Sequence, residues 1–184
     1  MALAESNMMP LGTEAPGFDL QDVVSGKQYA LDDARQEYGM LVMFICAHCP
    51  YVKNIEDEIA VIAKQYQNSK IGFVAISSND AQEYPEDAPE GLKNQAEEFE
   101  FPFPYLYDET QEVAKAYDAV CTPEFYLFDE DLKLIYRGRF DASTPGNPEP
   151  VTGENLIEAI ERHLEDEPVV EEQHPSMGCS IKWK

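Results

Sequence analysis

Cys46 and Cys49 stand three apart in 44-FICAHCPYVKN-54, with Ala47 and His48 between them and Pro50 behind. A pair of this kind can be half a zinc site, a structural disulfide, a peroxide-reducing thiol with a spare, or a dithiol that trades electrons. An apolar run leads into the pair, and a helical pattern leads out. A thiol at a helix start meets unpaired backbone N–H groups and the positive end of the helix dipole, and both favour the thiolate. Cysteines so placed have pKa values lowered to roughly 3.5–7.5 from about 8.5. His48, when protonated, adds to this as a neighbouring positive charge. In a dithiol cycle an outer cysteine attacks a substrate disulfide and an inner one resolves the mixed disulfide. Cys46, ending the strand, is the expected exposed attacker, and Cys49, inside the first helical turn, the expected resolving thiol.

The other readings are weaker. Zinc needs two further ligands at suitable spacing. The chain has no second Cys-x-x-Cys, and His163 and His174 fall on the last helix and in the tail. No metal and no organic cofactor are expected. A structural disulfide is rare in the cytoplasm. Cytoplasm is the expected compartment, because the first residues, MALAESNMMPLGTEAPGF, lack the basic and apolar regions of a signal peptide. Acids outnumber bases 36 to 13, for a net charge of -23. That balance excludes nucleic acid and anionic membrane surfaces as expected partners, since both need clustered Lys and Arg.

The elements that must position the pair follow from periodicity. Residues 1–14 read as an N-terminal arm, 15–165 as the domain and 166–184 as a tail that docks on it through Met177, Ile181 and Trp183. The run 40-MLVMFI-45 suits a strand buried on both faces. Val52, Ile55, Ile59, Ile62 and Tyr66 predict one amphipathic helix after Pro50. The run 70-KIGFVAIS-77 is a second buried strand, and 78-SNDAQEYPEDAPEG-91 a surface loop. Residues 103–108 predict a third strand, 125–129 and 133–140 an antiparallel hairpin, and 154–164 a last helix. Strands and helices alternate before the hairpin, which predicts an α/β domain: a central mixed sheet with helices on both faces. Thr122-Pro123, before the hairpin, reads as an ordinary strand-start proline or a fixed turn.

These residues resemble the thioredoxin-like superfamily in its peroxiredoxin-like branch, alkyl hydroperoxide reductase/thiol-specific antioxidant. The similarity runs from about Gly12 to the last helix. It is carried by 12-GTEAPGFDL-20, by the Cys46–Cys49 motif, by Cys121 to Pro123, by Tyr136 to Arg139 and by the tail Gly178 to Lys184. The resemblance implies a thioredoxin-like fold and makes Thr122-Pro123 the cis-proline that binds substrate backbone. The departures matter. The peroxiredoxin threonine falls on Cys46, the peroxidatic cysteine on Cys49 and the catalytic arginine on Pro123, so that arginine is absent. Thioredoxin's tryptophan and buried aspartate fall on Ile45 and Met40, which leaves Glu124, Glu56 or water to accept a proton.

The function expected is thiol-disulfide exchange on protein or small-molecule disulfides, recharged by a dithiol donor. The alternatives are a hydroperoxide-reducing peroxidase and a redox-sensing binding protein. The Ala-His pair is expected to set a potential less negative than thioredoxin's approximately -270 mV. Cys121 reads as a buried core residue or an accessory thiol. Cys179 is expected to pair with Cys121 or to relay to Cys46.

Overall fold

Met40–Phe44 is buried at every position, and the molecule is built around that run. In the computed structural model, residues 2–184 are described; Met1, the first residue of the expected arm, lies outside them. The chain begins with strands β1 (Leu3–Glu5), β2 (Asp19–Asp22) and β3 (Gln28–Ala30), a helical turn α1 (Leu31–Ala34) and β4 (Met40–Phe44). Helices α2 (Pro50–Lys53) and α3 (Glu56–Gln65), strand β5 (Gly72–Ser77), helix α4 (Pro89–Glu98) and β6 (Tyr105–Tyr107) follow. Then come α5 (Glu112–Ala116), β7 (Cys121–Thr122), β8 (Glu124–Phe128), β9 (Leu134–Gly138), α6 (Glu154–Leu164) and β10 (Met177–Ser180).

Seven strands form one sheet in the order β3-β2-β6-β5-β4-β8-β9. β4 runs parallel to β5 and β5 to β6, while β8 pairs antiparallel with both β4 and β9. This is the mixed sheet the alternation predicts. Because side chains alternate across a strand, β4 feeds two cores. Leu41, Met43 and Ile45 pack with Ile59 and Ile62 of α3, Leu92 of α4 and Ile160 of α6. Met40, Val42 and Phe44 pack with Ala34, Ala114, Tyr117, Tyr126 and Phe128 on the other face.

Two local readings change. The single helix expected after Pro50 is broken between α2 and α3, where Ile55 turns to φ -124°, ψ -3° and buries its side chain in the core. Residues Leu3–Glu5, read from sequence as part of a loose arm, pair antiparallel with the tail strand β10, Leu3 opposite Cys179. A three-residue strand of this composition carries no local signal, because its ladder partner lies at the other end of the chain.

Candidate active site

The site lies where β4 ends and α2 begins. Cys49 is the N-cap of α2 at φ -73°, ψ 124°, and its carbonyl accepts the N–H groups of Val52 and Lys53. Pro50 follows at the first helical position, where a missing N–H costs nothing. Thr122-Pro123 is a cis peptide bond between β7 and β8. Both site sulfurs meet Thr122: Cys46 Sγ lies 3.4 Å from its hydroxyl, and Cys49 Sγ 3.3 Å from its carbonyl oxygen.

The third sulfur comes from the tail. Cys49 is joined to Cys179 across a sequence separation of 130, with Cα atoms 6.1 Å apart. β10 holds Cys179 in place by pairing antiparallel with β7, Cys179 opposite Thr122 and Ser180 opposite Cys121, and by pairing with β1 on its other side. The expectation for Cys179 was a bond to Cys121 or a relay to Cys46; the register places it on Cys49 instead. Cys121 is a free, buried thiol 3.8 Å from the Glu124 carboxylate.

Cys46 departs from the sequence reading in two respects. It is a free thiol, but it is 0% exposed, as is Cys49, so neither is a surface attacker in this state. The expected lowering of its pKa is reversed: burial first, and then the negative charge of Asp87, push the thiol up to about 12. The Thr122 hydroxyl and the N–H groups of Cys49 and His48 pull the other way and lose. The expectation of a relatively easily reduced Cys46–Cys49 disulfide therefore loses its premise at Cys46.

Asp87 is the residue the sequence reading missed. It sits in the 3-10 turn Pro85–Asp87, within the segment read as a surface loop, yet it is fully buried. One carboxylate oxygen accepts the N–H groups of Ala47 and His48, at 2.8 and 3.1 Å. The other lies 2.5 Å from His48 Nδ1 and accepts the Asn79 side-chain amide at 2.8 Å. Burial pushes the Asp87 carboxyl up, but the His48 and Asn79 hydrogen bonds, the His48 charge and the Ala47 N–H together hold it below the usual value. No sequence signal distinguishes this acid from its neighbours Glu83, Glu86 and Glu90. His48 stacks on Tyr84, ring centroids 4.5 Å apart, and its Nδ1 lies 3.8 Å from Cys46 Sγ.

Ligand atoms of Cys46, His48 and Asp87 all fall within 4.8 Å of one another, so among the described residues these three could hold a metal ion. The Asp87 oxygens are already filled by four donors from the protein. The two acids named as proton acceptors serve other groups: Glu124 reaches the Cys121 sulfur and the N–H groups of Val120 and Cys121. Glu56 accepts from Gln95, which also donates to the Cys46 carbonyl oxygen and so acts on its backbone.

The segment after β5 and the tail close over the site together. The Lys182 N–H donates to Asn79 Oδ1, the Asp80 N–H donates to the Lys182 carbonyl oxygen, and Lys182 Nζ lies over the Tyr84 ring. An uncharacterized conserved protein from Geobacillus kaustophilus has a solved structure 55% identical to this chain, at TM-score 0.98, covering 100% of this chain and 97% of that one. A hypothetical protein from Sinorhizobium meliloti 1021 is 41% identical at TM-score 0.95, covering 98% of each chain. The thiol-disulfide oxidoreductase ResA of Bacillus cereus is 27% identical over 161 residues, 88% of this chain and 80% of that protein. Solved thioredoxin-like proteins share the sheet and helix arrangement, and a family model described as AhpC/TSA family matches residues 11–137. With a thioredoxin-like fold and that match across most of its length, the chain belongs to the AhpC/TSA family.

Proposed function

We propose that this chain is a thiol-disulfide oxidoreductase in which Cys49 is the exchanging sulfur, able to pair inward with Cys46 or outward with Cys179. The observation that carries the reading is the bond from Cys49 to Cys179 with a second thiol, Cys46, three residues earlier and against the same threonine. The named activity of the Bacillus cereus relative supports it.

The cycle balances as follows. A donor dithiol passes two electrons to the Cys49–Cys179 disulfide and leaves both as thiols. The Cys49 thiolate then attacks one sulfur of a substrate disulfide, and the other substrate sulfur departs as thiolate. Cys46 or Cys179 attacks Cys49 in the mixed disulfide, which releases the second substrate thiol and leaves a new intramolecular disulfide. In this buried state the Cys46 thiol is a poor nucleophile, because the thiolate is the reactive form. His48 and Asp87 hold the loop between the cysteines. Thr122 and Pro123 shape the groove. The cytoplasm remains the proposed compartment, tested by fractionation; no described helix is long and apolar enough to cross a membrane.

A second reading is favoured by the same bond. Cys49 is the position that resembles the peroxidatic cysteine, and a Cys49 sulfenic acid condensing with the Cys179 thiol, with loss of water, would give the observed disulfide. Pro123, standing where the resemblance places a catalytic arginine, weighs against it. One experiment separates the two: turnover of insulin disulfide and of hydrogen peroxide by the wild type, Cys46→Ser, Cys49→Ser, Cys179→Ser and the double variant Cys46→Ser with Cys179→Ser. Exchange predicts loss of insulin reduction in Cys49→Ser and mixed disulfides accumulating on Cys49 when both of its partners are removed. Rapid peroxide consumption that depends on Cys49 and Cys179, with little insulin reduction, would reverse the assignment.

A further inference from the structure

The tail does more than close the site. Met177–Ser180 is an extended segment that pairs antiparallel with β7, presents its cysteine to Cys49, and has Thr122 directly opposite that cysteine. An extended peptide that adds itself to a sheet edge gains affinity from backbone pairing and specificity from what its side chains meet. We propose that the tail is a resident stand-in for substrate: the groove that the resemblance assigns to substrate backbone at Thr122-Pro123 takes extended polypeptides with glycine directly before the reacting cysteine, and Cys49–Cys179 is the internal counterpart of the enzyme–substrate mixed disulfide. This rests on the exchange reading above and names its substrate class.

The glycine requirement is steric. A Cβ on Gly178 would stand 2.0 Å from the Thr122 carbonyl oxygen, 2.7 Å from its carbonyl carbon and 3.3 Å from Pro123 Cδ. The close neighbours are backbone of the same residue that flanks both site sulfurs, so they cannot yield without disturbing the site. A side chain one residue before the incoming cysteine is thus refused. The flanking positions are open by comparison: Met177, one further back, is exposed, and Ser180, one ahead, is half-buried. The covalent step is ordinary exchange: the Cys49 thiolate attacks the cysteine sulfur of the peptide's disulfide, and the sulfur it was bound to leaves with the electron pair.

The test uses the full-length chain carrying Cys46→Ser and Cys179→Ser, so that Cys49 is the one reactive site thiol and its adducts persist. Two pentapeptides, Met-Gly-Cys-Ser-Ile and Met-Val-Cys-Ser-Ile, each carry nitrothiobenzoate on cysteine, and release of that chromophore gives the rate. Peptide mapping places the adduct. The glycine peptide is expected to react at least about tenfold faster, the scale of losing one good backbone contact. Adding Gly178→Ala pushes the chain's own tail off β7, so the glycine peptide should accelerate further while its preference over the valine peptide persists. Equal rates for the two peptides in both backgrounds would overturn the groove and leave exchange standing. A Cys49 that reacts with neither peptide nor with free dithionitrobenzoate, even with Gly178→Ala, would sink the exchange reading and this one together.

Discussion

His48 Nδ1 lies 2.5 Å from the Asp87 carboxylate, across 39 positions of chain, and the same carboxylate also takes the His48 and Ala47 backbone N–H groups. One acid therefore fixes both the ring and the backbone of the two residues that separate the cysteines. It also places a negative charge beside Cys46, where it opposes the thiolate. The arrangement positions the loop at the expense of inner-thiol reactivity, and that conflict can be measured.

Replacing Asp87 by Asn removes the charge and keeps the volume. In a Cys49→Ser background, where Cys46 is the one thiol of the motif, Asp87→Asn is expected to lower the pH midpoint for alkylation of Cys46 by iodoacetamide. An unchanged or higher midpoint would show that the carboxylate does not act on the sulfur. The variant also sets an amide NH2 against donors at His48 and Asn79, at a cost of about 1–3 kcal/mol in unfolding free energy. Its pH dependence has a definite sign. A carboxyl held low in the folded state contributes stability above its unfolded value of 3.8 that is lost as pH falls through the folded pKa. The wild type should show that acid loss, and the Asn variant should lack this part of it.

Gly91 supports Asp87 from behind. A Cβ there would meet the Glu86 carbonyl oxygen at 2.0 Å, in the turn that carries Asp87. Gly91→Ala is expected to shift that turn, cost about 1–3 kcal/mol as an overpacking defect and loosen the His48 contact, read as a changed His48 ring resonance by NMR. Gly17→Ala is the control, since nothing lies within 4 Å of its added Cβ. It should be neutral or stabilising by about 0.4–1 kcal/mol. Equal destabilisation by both would dismiss the contact.

The Cys49–Cys179 bond ties positions 130 apart. In the chain-entropy account a closed loop of that order contributes about 5 kcal/mol, and removing native bonds costs about 2–5 kcal/mol. Urea unfolding with and without reductant should show the oxidised wild type more stable by an amount in that range. Cys179→Ser should lose most of that dependence, and its mild oxidation should yield a Cys46–Cys49 bond in non-reducing peptide maps. A reductant effect of full size in Cys179→Ser would place the stabilising bond elsewhere.

The legible part of this molecule is its local part. The uninterrupted apolar run at Met40–Ile45 announces a doubly buried strand, and the switch to three- and four-residue spacing after Pro50 announces the helices, because each signal is complete within one element. The chemistry at Cys46 and Cys49 is legible for the same reason: the thiols, the helix start and the proline are contiguous. What sequence spacing cannot show is which distant partner completes the site. Asp87 is one acid among many until folding buries it under Ala47. Leu3–Glu5 becomes a strand only when the tail arrives beside it. The choice of Cys179 for Cys49 over Cys121 is a matter of strand register, with Ser180 facing Cys121 and Cys179 facing Thr122; a slip of one residue would put Cys179 opposite Cys121 instead. Cys46 misleads because helix-start arguments assume solvent, and burial outweighs them here.

Glu124 gives a prediction about pH that does not pass through the cysteine pair. It is 1% exposed, and burial pushes its carboxyl up to about 7 from 4.5, against hydrogen bonds from the Val120 N–H, the Tyr126 hydroxyl, and the Cys121 N–H and thiol. A carboxyl with a raised folded pKa keeps its proton while the unfolded chain has already lost it. Stability from this group is therefore full below about pH 4.5, falls as pH rises toward about 7, and then levels off. The difference of the two values corresponds to about 3 kcal/mol. Glu124→Gln, which cannot ionise and can still accept from the Val120 and Cys121 N–H groups, should be flat over that window. Thermal melts of both proteins between pH 4.5 and 8 should diverge with rising pH, the variant gaining on the wild type. Parallel curves would mean that Glu124 ionises in the folded protein as easily as in water, and that the buried carboxylate behind β7 is better solvated than its surroundings imply.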